Sequence, residues 1–227
     1  MQAILYTLIP LAAVVIGALA TAVRRPSIGF QSGVQHLAAG VVFAAAAGEI
    51  LPDLKHSSSL LPVLLGAAVG IAGMLALKTL TEGKGGPTGL AVTAGIDLLV
   101  DGLVLGISFV AGMQQGILLA IALTLEVLFL GLSLAGTLSE SMSKMRAVML
   151  TCAIGLALPL GALLGAPVST LPEAWQTGFY AFGLIALLYL VTEELLVEAH
   201  ECPESPLTTS MFFIGFMAIL TIEELMQ

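Results

Sequence analysis

Charge is scarce in this chain: 10% of its 227 residues are Asp, Glu, Lys or Arg, against about 25% in a soluble domain. Together with 58% hydrophobic residues and a mean hydropathy of +1.07, that scarcity rules out a water-soluble globule and points to an integral membrane protein. Positive charge is scarcer still. Seven Lys and Arg make no basic patch for phosphates, which argues against nucleic-acid binding. Cysteine is nearly absent: Cys152 and Cys202 form no C-x-x-C pair and indicate neither a structural disulfide nor a thiolate zinc site. No H-E-x-x-H stretch occurs, so a zincin-type hydrolase is not indicated, and no Walker A motif supports ATP-driven pumping by this chain. No segment alternates with period two, which excludes a membrane β-barrel. The nine methionines show no repeated M-x-x-x-M spacing, so copper handling is not indicated and most are packing residues.

What the chain does contain is apolar length. A membrane-crossing helix needs about 20 mostly apolar residues. Eight segments qualify: 3–23, 33–53, 60–80, 88–111, 115–138, 146–167, 174–198 and 208–226. The first is too long for a signal-peptide core and lacks a basic flank, so it is expected to be a retained span. The breaks carry turn chemistry, as in Arg24-Arg25-Pro26-Ser27, Ser57-Ser58-Ser59, Gly83-Lys84-Gly85-Gly86-Pro87 and Pro203-Glu204-Ser205-Pro206. The expected fold is an all-α membrane protein, one domain over residues 1–227, with eight transmembrane helices. An extracytoplasmic N-terminus places Arg24, Arg25, Lys78, Lys84, Lys144 and Arg146 on the cytoplasmic side and only Lys55 outside. The positive-inside rule therefore expects both termini outside, in a multi-pass protein of the plasma (inner) membrane. Glycine is abundant (25 residues), and small-residue spacings such as Gly66/Gly70 and Gly161/Gly165 suit close helix contacts.

Six carboxylates fall inside these apolar segments: Glu49, Asp97, Asp101, Glu126, Glu193 and Glu194. A charged carboxylate at mid-bilayer costs roughly 2.5–3.5 kcal/mol even on a lenient scale, so such residues mark function. Asp97 and Asp101 are four apart and share a helix face. A bound cation or a shared proton relieves their mutual repulsion. The fourth and fifth spans are joined only by Gly112–Gly116, so they are antiparallel neighbours and Glu126 can meet that pair. Thr124 could add a hydroxyl, although threonine is common in spans. In the seventh span Glu194 and Glu198 share a face, with His200 half a turn on. Glu198, His200 and Glu201 are expected at the cytoplasmic membrane edge, as an exit relay for a metal or an ordinary interfacial cluster. Glu193 and Glu194 are expected to lie deeper. Glu49, near the outer end of the second span, would join Asp53, Glu223 and Glu224 in giving the outer mouth a negative potential, although the last pair reads better as a solvated tail. His36 is expected to be interfacial rather than a ligand.

Two local stretches carry a family resemblance. His36-Leu37-Ala38-Ala39-Gly40 through Glu49-Ile50-Leu51-Pro52-Asp53, and Glu193-Glu194-Leu195-Leu196-Val197-Glu198-Ala199-His200, are similar to segments of the ZIP (Zrt/Irt-like) family of divalent metal transporters. The second resembles that family's E-E-x-x-P-E-x-H stretch, with Val197 in the proline position. The family's H-N-x-P-E-G motif in the fourth span corresponds to Asp97-Leu98-Leu99-Val100-Asp101-Gly102, and its H-E-x-P-E-G-like motif in the fifth to Glu126-Val127-Leu128-Phe129-Leu130-Gly131. Asp97 and Asp101 then stand for the histidine and glutamate, and Glu126 for the first ligand of the fifth span. Gly102 and Gly131 are kept, while both prolines are replaced, by Val100 and Phe129.

The resemblance implies a secondary transporter with one metal at Asp97, Asp101 and Glu126, completed by Glu194 or Glu193 and water. Leu98, Val127 and Leu130 remove three ligands of a two-metal centre. Carboxylate in place of imidazole shifts preference toward Mn2+, Mg2+ or Fe2+, while Zn2+ also binds carboxylates. It implies an elevator-like cycle in which spans one, four, five and six move against two, three, seven and eight. The family's long His-rich loop is missing: Thr81–Thr88 is short and has no histidine. Partners on this reading are divalent metal ions, protons as a further candidate, and membrane lipid; a homodimer is compatible with it. No organic cofactor and no enzymatic activity are expected. The competing expectation is a ZIP-like protein that does not transport, a metal sensor or partner subunit with a degenerate site.

Overall fold

Long apolar runs satisfy backbone hydrogen bonds without water only by folding as helix. The computed structural model describes residues 2–23, 27–55, 60–81, 86–201 and 205–226, and among these there is no strand. In chain order the helices are α1 (Gln2–Val23), α2 (Ile28–Ala45), α3 (Leu51–Lys55), α4 (Leu60–Thr81), α5 (Gly86–Ala111), α6 (Met113–Leu138), α7 (Lys144–Gly155), α8 (Ala157–Gly165), α9 (Glu173–Tyr189), α10 (Leu196–His200) and α11 (Pro206–Met226). Two π turns, Ala46–Ile50 and Leu190–Leu195, join α2 to α3 and α9 to α10.

Six helical stretches are long and apolar enough to cross a bilayer: Leu60–Leu80, Gly86–Ala111, Met113–Leu138, Lys144–Thr170, Glu173–His200 and Pro206–Met226. Their outward faces carry exposed apolar side chains, among them Leu61, Leu64, Val69, Leu160, Leu164 and Phe213, as a lipid-facing surface requires. The protein is thus an all-helical, multi-pass membrane protein. Leu5–Thr21 is a shorter apolar helix in the same bundle, and Ile28–Lys55 is helical throughout.

This second stretch begins earlier than hydropathy places it, at Ile28 rather than 33. Ser27, in extended conformation, caps it by accepting a hydrogen bond from the Phe30 amide at 3.4 Å. Its first turns carry Gln31, Ser32, Gln35 and His36, whose polarity hides a helix from a hydropathy window. The link between α5 and α6 is also tighter than expected, the single residue Gly112. Of the residues read as loop punctuation, Gly86 takes φ +82°, a conformation suited to glycine. Arg24, Arg25, Pro26, Lys84, Cys202, Pro203 and Glu204 lie outside the described residues, as do the side chains of Glu49, Asp53 and Lys55.

The helices pack as two groups. In one, α1 lies on α6, α5 on α8 and α5 on α6, with α7 against α1; in the other, α11 lies on α2, α4 on α9, and α10 on α2. The groups meet mainly where α2 crosses α6 and α5 crosses α9. Glycine sets the helix spacing within each group. A Cβ on Gly102 would fall 1.9 Å from Leu158 O, on Gly161 2.0 Å from Leu99 O, on Gly66 1.8 Å from Gly178 O and on Gly40 1.9 Å from Phe212 O. Of the small-residue spacings singled out in the sequence, Gly161 and Gly165 both meet backbone, while Gly66 meets backbone and Gly70 the Ile185 side chain; these contacts supply the packing that lipid does not drive.

Candidate functional site

The acidic residues gather at the interface between the two groups. α5 carries Asp97 and Asp101 one turn apart; Asp101 is 3% exposed and Glu126, on α6, 4%. Glu194 is half-buried on the second π turn. The carboxyl of Glu126 is within electrostatic range of those of Asp101, Glu194, Asp97 and Glu198, and that of Glu194 within range of Asp97, Asp101 and Glu198. A cavity of about 220 Å3, large enough for several waters, is lined by Asp97, Glu193, Glu194, Glu198, Lys78 and Thr93 among others. Asp101 lies a turn further along α5 than Asp97.

Asp101 Oδ2 and Glu126 Oε2 are buried with no hydrogen-bond partner. Native interiors rarely leave polar atoms so, and each such atom calls for a missing proton, water or ion. The donor set is oxygen-only, which suits a hard cation. Among the described residues, however, no three His, Cys, Asp or Glu side chains stand together as a ready metal site. The acids converge without being assembled. Thr124 donates its hydroxyl proton to Ala120 O at 2.6 Å, so that proton is committed to its own helix.

The other acids have separate surroundings. Glu193 is exposed and pairs with Lys78 at 2.8 Å, both side chains more than 40% exposed; it belongs to the cavity wall rather than to deeper structure. Glu198 Oε2 accepts a hydrogen bond from Gln35 Nε2, and His200 is exposed at the end of α10. Glu49 has its backbone on the first π turn. Glu223 is half-buried there: a Cβ on Gly48 would fall 2.7 Å from Glu223 Oε2, so this acid sits on the π turn rather than in a solvated tail. Glu224 is exposed.

The backbone irregularity does not fall on the stretches Asp97–Gly102 and Glu126–Gly131. With Val100 and Phe129 in the proline positions, α5 and α6 run as unbroken helices of 26 residues each. The interruptions fall on the stretches that carry Glu49 and Glu193–Glu194. Pro52 has no amide to bond Gly48 O, which accounts for the first π turn; the second forms without a proline, with Val197 two residues beyond it. Gly102 and Gly131 serve as packing points, with a Cβ on Gly131 falling 2.4 Å from Val14 O.

His36, expected at the membrane edge, is 1% exposed, its side chain covered by neighbouring helices. Helical bonding from Ile28 onward sinks it two turns into the bundle, where its ring meets that of His200 at 5.2 Å. The sequence signal was the polar run from Gln31 to His36 on a face that also bears Ala39 and Gly40. Cys152 is a free, half-buried thiol. No protein-family model matches the chain, and no curated protein matches it.

Proposed function

We propose that this protein is a secondary transporter of divalent metal cations, built from eight transmembrane helices with both termini extracytoplasmic, in the manner of the ZIP family. The observation that carries the reading is the pair of buried, unpartnered carboxyl oxygens, Asp101 Oδ2 and Glu126 Oε2, on residues within electrostatic range of the acids that line the cavity. A cation entering by that cavity meets Asp97 and Glu194 first and then the orphaned oxygens. These acids would bind it as substrate with oxygen ligands, a set that suits Mn2+, Mg2+ or Fe2+ and also takes Zn2+. On the orientation that the positive-inside rule favours, the Lys78 side of the cavity would face the cytoplasm. Two helix groups meeting at the acids are the arrangement that an elevator-like movement needs.

The competing reading is a non-transporting ZIP-like protein, a sensor or partner subunit. It draws support from the absence, among the described residues, of three acids in ligating proximity. Calorimetric titration of the detergent-purified protein with Mn2+, Zn2+ and Mg2+, repeated on Asp97→Asn and Glu126→Gln, separates the two. Transport expects at least one ion to bind and both substitutions to abolish that binding, followed by uptake into liposomes. Binding that survives both substitutions, or no binding at all, removes the carboxylate transport site.

A further inference from the structure

We propose that the apolar groove between α4, α5 and α9 is a binding site for the acyl chain of a membrane lipid, held against Trp175. The groove shares no lining residue with the acid-lined cavity, and the proposal does not depend on the transport reading.

Glycine makes the groove. α4 and α9 meet at Gly66 and Gly178, where a Cβ on Gly66 would fall 1.8 Å from Gly178 O, and both glycines belong to the groove's lining. Helices drawn together where they lack side chains leave a hollow between the larger residues on either side. Leu65 and Val69 wall it from α4, and Trp175, Phe179 and Phe182 from α9, at the spacings of four and three residues that share one helix face. Leu103 supplies a third wall from α5. The hollow measures about 250 Å3, and the Trp175 indole N–H is the one polar side-chain group among its described lining residues.

The occupant follows from where the groove opens. Leu65 and Val69 are exposed and, with Leu61 and Leu64, belong to the lipid-facing surface of α4, so the groove is continuous with the protein's interface to hydrocarbon. Trp175 is exposed and is the third residue of the membrane-length stretch Glu173–His200, at the level where tryptophan collects between headgroups and acyl chains. From there to Phe182, as from Pro62 to Val69, the groove follows seven residues of helix rise, about 10 Å. A chain entering beside the indole therefore runs inward along both helices. No described lining residue carries a charge, so the site reads the chain and not the headgroup. Leu103 belongs to the other helix group, so the bound chain touches both groups.

The test uses Trp175 as its own reporter, since the chain has a single tryptophan. The full-length protein is delipidated in a steroid-based detergent, which has no alkyl chain to compete, and titrated with phosphatidylcholine brominated along its acyl chains. Fluorescence quenching is followed in wild type, Val69→Phe and Leu75→Phe, and native mass spectrometry counts the lipid retained. Wild type is expected to show a saturable quenching step with a single lipid retained, and brominated phosphatidylglycerol should give the same step. Val69→Phe fills the groove from an exposed position, leaves Trp175 in place and should abolish the step. Leu75→Phe, exposed on α4 outside the groove, should leave it unchanged. Quenching that rises without saturating marks annular contact only and overturns the proposal, as does a saturable step that survives in Val69→Phe or that one headgroup alone produces. A dimer whose formation shields Trp175 from the brominated chains would assign the groove to a second copy of this protein and also overturns it. Should Val69→Phe fail to fold, Leu65→Phe, likewise exposed on the groove wall, takes its place.

Discussion

Glu126→Met separates a carboxyl kept for binding from one kept for structure. Glu126 Oε2 is buried and has no hydrogen-bond partner, and a buried polar group in that condition costs about 1–3 kcal/mol. Leu123, Val127 and Phe129 of the same helix are also buried, so an apolar side chain of similar length suits the burial of this stretch. Methionine is unbranched and adapts to irregular space, which keeps the packing cost small. The metal-free protein should therefore become more stable by about 1–3 kcal/mol. Metal binding should disappear, because the ion then loses its α6 ligand and keeps only Asp97, Asp101 and the half-buried Glu194. Reversible unfolding in mixed micelles gives the first quantity and Mn2+ calorimetry the second. A loss of stability, or Mn2+ affinity within about twofold of wild type, would refute the reasoning: the first would mean that the carboxyl has structural partners, the second that it is not a ligand.

Two further perturbations test the packing and the cavity. Gly102→Ala puts a Cβ 1.9 Å from Leu158 O and should cost at least the 1–3 kcal/mol typical of overpacking, roughly. Gly73→Ala, with nothing within 4 Å of its Cβ, should stabilise by about 0.5–1 kcal/mol in the same unfolding assay. Lys78→Gln breaks a half-exposed ion pair and should change stability by less than about 1 kcal/mol. Because the same ammonium faces the acid-lined cavity, its removal should tighten Mn2+ binding by a few-fold in calorimetry.

Hydropathy alone located the six long apolar stretches to within a few residues, because the bilayer-length signal and the helix are one physical fact. The four-residue spacing of Asp97 and Asp101, and the short link to α6, located the three central acids for the same kind of reason: both are consequences of helical geometry. Two things escaped. The start of α2 was hidden because its buried face is polar, and with it the burial of His36 and Gln35, which depends on α10 packing over them. The π turn at Leu190–Leu195 was not legible because no proline marks it. It lies where α9 and α10 pack against α4 and α2, which are distant in sequence. The exposure of Glu193 was not legible for the same reason, since its partner Lys78 lies on the distant α4.

The distribution of irregular backbone bears on why the acids converge without assembling. α5 and α6 are unbroken and are fixed to α8 and α1 through Gly102 and Gly131, where an added methyl would strike a neighbouring carbonyl. Asp97, Asp101 and Glu126 therefore ride on a stiff platform and cannot rearrange without moving α1 and α8 with them. Glu194 stands on a π turn, where the hydrogen-bond ladder is already interrupted. Restoring an α turn there would remove one residue from the turn and rotate the side chains on one side of it by about 100°. Of the acids around the cavity, Glu194 is thus the one whose position can change at low cost, while the platform acids keep theirs. On the proposed transport reading, a fixed trio facing a fourth carboxylate on irregular backbone would suit a site that is complete in one arrangement of the two groups and open in the other.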